Sequence, residues 1–159
     1  MPRFRCIAMP TATARRFREG GLDDRGNRIV ARVVETETGG PCRHCLRYGR
    51  PGETMLLGSY DLPRPLGIYW TPSPIFVHAA DCPRFEEENR VAPSATGAGS
   101  IVSVRAYDQA QMCLYDLGRV CDGTEVEAPL LRALSDARTS FVNIHTARPG
   151  CWLAGAELL

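Results

Sequence analysis

Three thiols and one imidazole stand at spacings that suit a metal ion. Cys42 and Cys45 form a C-x-x-C pair, and His78 and Cys82 form an H-x-x-x-C pair. Thiolate sulfur and imidazole nitrogen are the donors of structural zinc sites, four of them converging at about 2.0–2.3 Å. Gly39, Gly40 and Pro41 precede the first pair and Gly49 follows it. Such residues let the chain turn tightly enough for both sulfurs to reach one ion. Thirty-two residues separate Cys45 from His78, room for one strand and a return crossing. The expected metal ligands are therefore Cys42, Cys45, His78 and Cys82, and the expected ion is zinc. His44, inside the first turn, is expected to face solvent, with replacement of His78 as its alternative.

Two other readings of these cysteines stay open. A thioredoxin-like redox pair needs its first cysteine at a helix N-terminus, where the dipole lowers the thiol pKa. The glycines and proline after Cys45 oppose that helix. Alternatively the thiols are small buried residues, since free cysteine packs well in cores. That second reading suits Cys6 and Cys113, which lie in apolar stretches, and Cys121, which neighbours a turn.

A second Cys/His pair brackets the turn at Arg148, Pro149 and Gly150. If residues 148–150 form the loop, His145 and Cys151 share a sheet face. With Arg148 near, they are then a candidate nucleophile and base. A four-residue loop puts them on opposite faces. His145 and Cys151 are the catalytic candidates, with Cys42 as an alternative nucleophile, and packing is the simpler account of the hairpin pair.

These residues need elements to hold them. Residues 4–9 read as a strand, and Thr11 or Thr13 could cap a helix through Arg18 that Gly20 and Gly21 stop. Residues 28–37 are apolar on both faces for part of their length, which predicts an interior strand. Residues 53–60 and 75–79 read as strands, joined by an irregular stretch with prolines at 63, 65, 72 and 74. Glu86, Glu87 and Glu88 read as a solvated helical turn, and residues 93–100 as a mobile surface loop. Residues 100–108 alternate as a strand, to which residues 112–120 return antiparallel. Leu130, Leu131 and Leu134 mark a helix within residues 124–137, with Pro129 in its first turn. Residues 141–147 and 151–158 form a closing hairpin. The expectation is an α+β fold: a mainly antiparallel sheet, one or two helices and a zinc-stabilised loop region.

At 159 residues and 44% hydrophobic, the chain suits a single domain over residues 1–159. A formal charge of +1 gives no support for nucleic acid or an anionic membrane as the main partner. Every one of the 19 basic residues is arginine, which rules out a lysine Schiff base. Residues 1–10 hold no apolar run of signal-peptide length, and no stretch approaches a membrane span. A cytoplasmic location is expected, where seven cysteines, an odd number, would stay mostly reduced.

Five short stretches carry a family resemblance. They are Pro41-Cys42-Arg43, Pro51-Gly52-Glu53, Pro74-Ile75-Phe76-Val77-His78, Tyr107-Asp108 and Gly150-Cys151. In the same order, over nearly the whole chain, the sequence resembles a bacterial family known as domain of unknown function 1203. The resemblance implies a unit of this length and carries no reaction with it.

Three functional classes follow. In the first, a closed zinc site makes a structural or binding module whose partner is a protein or a small molecule. In the second, the protein is an enzyme, with a cysteine nucleophile served by His145 or a zinc hydrolase with an open position. In the third, Arg43, Arg47, Arg50 and Tyr48 make a nucleic-acid-binding zinc knuckle, which the near-neutral charge opposes. The first class is the expected one.

Overall fold

Val102, Val104 and Ala106 alternate with Ser103, Arg105 and Tyr107, and this period of two makes β5 (Ile101–Tyr107). The three apolar residues point into a core that the second helix closes. The structure is a computed structural model and describes residues 1–36 and 39–159. Strand β5 pairs antiparallel with β6 (Arg119–Asp122) on one side and β7 (Phe141–Thr146) on the other. Strand β7 pairs with β8 (Trp152–Leu158), and β8 with β1 (Phe4–Ile7), completing a sheet of order β1-β8-β7-β5-β6. One face is covered by the helix Glu127–Ser135, called α2, through Leu130, Ala133 and Leu134. Pro129 lies in its first turn, as expected, where its missing N–H costs no helical bond.

A smaller sheet of order β2-β3-β4 comprises β2 (Val30–Val33), β3 (Thr54–Asp61) and β4 (Pro72–His78). Helix α1 (Thr11–Gly20) packs Ala14 and Phe17 into a second core with Met55, Ile75 and Val77. Gly21 ends the helix at φ 68°, a left-handed position that glycine takes without strain. Trp152 joins the two sheets. Its ring lies 5.7 Å from that of Tyr60, and its backbone N–H donates to Ser73 Oγ at 2.9 Å. All strand pairings are antiparallel and two α-helices are present among the described residues, so the fold is α+β. No helix among them is long and apolar enough to cross a membrane.

Several expectations need correcting. Among the described residues, strand β2 is an edge strand paired only with β3, and all four of its residues are exposed. Its valines on both faces suggested an interior strand, but no second neighbour covers them. The end of that expected strand, Glu37, lies outside the described residues. Thr11 does not cap α1; Pro10 holds the cap position with no side-chain bond, and Thr11 instead bonds His44. Glu86, Glu87 and Glu88 are not helical, and Glu88 bridges Arg5 as extended chain. Residues 93–100 are not simply a surface loop, because Ser94 and Ala95 are buried in a short 3-10 turn. Strand β4 begins at Pro72, earlier than expected. Its prolines are tolerated because they lie near the start of a strand at the sheet's border.

Candidate metal centre

The first cysteine pair lies on a knuckle built by close backbone packing. Cys42 N–H donates to Arg47 C=O at 2.8 Å, and Gly49 N–H to Gly40 C=O at 3.0 Å. Leu46 turns the chain at φ 57°, a left-handed position that an L-residue adopts at some cost. Gly40 is required for space: a Cβ there would lie 2.4 Å from the Phe76 ring. This approach lays the knuckle along β4, where Arg43 N–H donates to Phe76 C=O at 2.9 Å. Arg43 is buried and points to β8, donating through Nε to Trp152 C=O at 2.6 Å. Burial lowers its pKa to about 10, which leaves it charged.

The second pair arrives at the end of β4. His78 is the last residue of that strand and Cys82 follows after a bend. One donor atom from each of Cys42, Cys45, His78 and Cys82 lies within 4.8 Å of all the others. Cys42 Sγ and Cys82 Sγ are 3.9 Å apart, and Cys45 Sγ is 3.5 Å from His78 Nδ1. Bonds of ~2.3 Å to sulfur and ~2.0 Å to nitrogen give tetrahedral edges of roughly 3.8 and 3.5 Å. The group could therefore hold a metal ion. Cys42, Cys45 and His78 are buried, and Cys82 is partly exposed.

Other side chains fix the orientation of His78 and Cys82. His78 Nε2 lies 3.1 Å from Glu53 Oε2, so an Nε2–H tautomer donates to the carboxylate and leaves Nδ1 free as a donor atom. Glu53 is itself held by Arg50 N–H at 2.7 Å. Arg18 Nη2 donates to Cys82 Sγ at 3.2 Å, and Arg18 Nε donates to His78 C=O at 2.9 Å. His44 Nδ1 lies 3.3 Å from Cys82 Sγ and its Nε2 lies 2.9 Å from Thr11 Oγ1. With Cys82 as a thiolate, the tautomer satisfying both contacts donates from Nδ1 to sulfur and accepts from the threonine hydroxyl. His44 is thus buried rather than solvent-facing, and it lies outside the four-donor group.

The electrostatics favour one anionic sulfur, that of Cys42. Hydrogen bonds from Cys45 first, and then Cys82, hold the Cys42 thiol well below the ordinary range. The same sharing drives the Cys45 thiol up. His78 is raised to about 10 by its hydrogen bonds to Cys42 and Cys82, with Glu53 adding to them. Burial lowers His44, in keeping with a neutral ring.

The His145–Cys151 pair is not assembled. Thr146 N–H donates to Cys151 C=O at 2.8 Å and His145 opposes Trp152, so the loop is residues 147–150. That is the four-residue case, and His145 and Cys151 lie on opposite faces. His145 Nδ1 instead contacts Gly150 C=O at 2.9 Å. Three of the four residues expected of a nucleic-acid knuckle are also engaged within the protein. Arg43 is buried, Tyr48 Oη donates to Ser94 C=O at 2.9 Å, and Arg47 lies 3.7 Å from Glu87.

Sequence reading found all four donors and missed Glu53, Arg18 and the part played by His44. Glu53 carried one signal, its place at the start of a strand whose partner ends in His78. Arg18 carried none, since only the fold brings α1 to the end of β4.

Comparison with known proteins places the chain. No curated protein and no solved structure matches it. A family model matches residues 39–157, a stretch that includes the four donors and Glu53 and leaves out Thr11 and Arg18. That family is described as "Protein of unknown function (DUF1203)", and the chain belongs to it.

Proposed function

We propose that Cys42, Cys45, His78 and Cys82 hold one zinc ion in a closed, structural site, and that the protein is a binding or interaction module. The observation that carries this is the convergence of four donors within 4.8 Å of one another, two of whose separations, 3.9 and 3.5 Å, match tetrahedral edges. Softness selects the ion: three thiolates and an imidazole favour zinc over magnesium or calcium, which prefer oxygen. Four protein ligands leave no position for water, so the ion supplies cross-linking rather than Lewis-acid chemistry. The clasp connects the knuckle to the end of β4, and Arg43 carries that connection to β8. On this reading residues 1–159 fold as one domain. Three thiolates also need a compartment that keeps them reduced, which points to the cytoplasm.

Metal analysis of protein purified without added zinc tests the proposal. One zinc per chain is expected, and Cys42→Ser and Cys45→Ser should lose both the metal and thermal stability together. Metal-free protein with wild-type stability overturns it.

A further inference from the structure

Three tyrosines gather on the larger sheet in a groove that shares no residue with the cysteine–histidine group. Tyr69 stands edge-on to Tyr107 at 6.2 Å and to Tyr115 at 6.1 Å. The Tyr69 and Tyr115 hydroxyls bond one another. The groove has a volume of about 430 Å³, in the range of small-molecule sites. Ser103 and Arg105 line it too, on the face of β5 that points away from α2. Around it the surface is unusually apolar: Ile68 is 85% exposed, Tyr115 75% and Val120 59%.

Charge decides what the groove suits. Three aromatic rings alone would accept a quaternary ammonium. Here the guanidiniums of Arg105 and Arg119 share the space, and no acidic residue among the described residues lines the groove. Arg105 Nε donates to Ser103 Oγ at 3.3 Å, and no carboxylate pairs with it among the described residues. The cavity beside β1 is different, because its Arg5 and Arg64 both pair with Glu157 and its Arg84 with Glu86. One strand inward, opposite Ser103, His145 keeps Nε2 buried with no hydrogen-bond partner among the described residues. Its other nitrogen already contacts Gly150.

We propose that this groove binds a small aromatic carboxylate. The two terminal nitrogens of Arg105 take the carboxylate as a fork, Ser103 adds a hydroxyl, and the ring lies among Tyr69, Tyr107 and Tyr115. The inference is independent of the metal reading.

The test is titration of the zinc-analysed protein with 1-naphthoate, followed by amide NMR shifts. Saturable shifts in β5 and in residues 67–69 and 113–120 are expected. The neutral 1-naphthamide should bind about tenfold or more weakly, as loss of a charged hydrogen bond requires. Arg105→Gln should weaken naphthoate to a similar degree. Tyr115→Ala, at an exposed position that folding does not need, should weaken it several-fold. The proposal is overturned by absence of saturation at ~10 mM, by equal binding of the amide, or by preference for phenyltrimethylammonium. Zinc content in the same samples keeps a failure here separate from a failure of the metal site.

Discussion

On the proposed zinc reading His78 ligates through Nδ1, and Glu53 ties down its other nitrogen at 3.1 Å. Glu53→Gln keeps the size and loses the charge. Zinc affinity should then fall about 10-fold or more, read by chelator competition, with the fold intact. Unchanged affinity would show that the carboxylate does not support the ligand. His145 gives a separate expectation. Burial, with Arg105 adding to it, lowers this imidazole to about 4, while an unfolded chain titrates it near ~6.5. The unfolded state therefore binds the proton first. The contribution is complete above pH ~6.5 and is lost as pH falls toward 4, roughly 3 kcal/mol in all. Urea unfolding between those limits should show a shallower pH slope for His145→Gln than for wild type. Comparing the two separates this effect from acid release of metal. At this scale the four donors were legible because soft ligands at short spacing are rare outside metal sites. His44 was misread, because a polar residue between two cysteines gives no hint that Thr11 and Cys82 will enclose it.

Among the elements, the knuckle and β4 matter most, and their fit depends on missing side chains. Gly40 lies flat against Phe76, where a Cβ would sit 2.4 Å from the ring. Gly40→Ala should destabilise the protein by about 1–3 kcal/mol through overpacking, and it should loosen metal binding as the knuckle lifts. Denaturant unfolding with and without chelator measures both effects, and an unchanged midpoint would contradict this account of the packing. Gly39 and Gly40 were read as turn residues from sequence, and the structure uses them for close approach. Strands with clean alternation, β5 above all, were legible because one face is buried and the other is not. Strand β2 was not, since Val30 and Val33 look the same whether a neighbour covers them or water does. The C-terminal hairpin was found, but its register was not. Loops of three and four residues fit the same turn sequence, and only pairing of Thr146 with Cys151 separates them.

For the whole molecule, two sheets with separate cores meet at Trp152, Tyr60 and the buried Arg43. The succession of strand and helix patterns made an α+β fold legible in outline. It could not show a division into sheets of five and three strands, because which strands pair depends on contacts distant in sequence. The cysteine–histidine group lies where the smaller sheet, the knuckle and α1 converge, so the central claim is that a closed zinc site fastens this junction. X-ray absorption at the zinc edge of the purified protein tests that claim most directly. Three sulfur neighbours at ~2.3 Å and one nitrogen at ~2.0 Å, with no further light atom, is the predicted shell. A shell with fewer sulfurs and a bound water, or a protein without zinc, would contradict it.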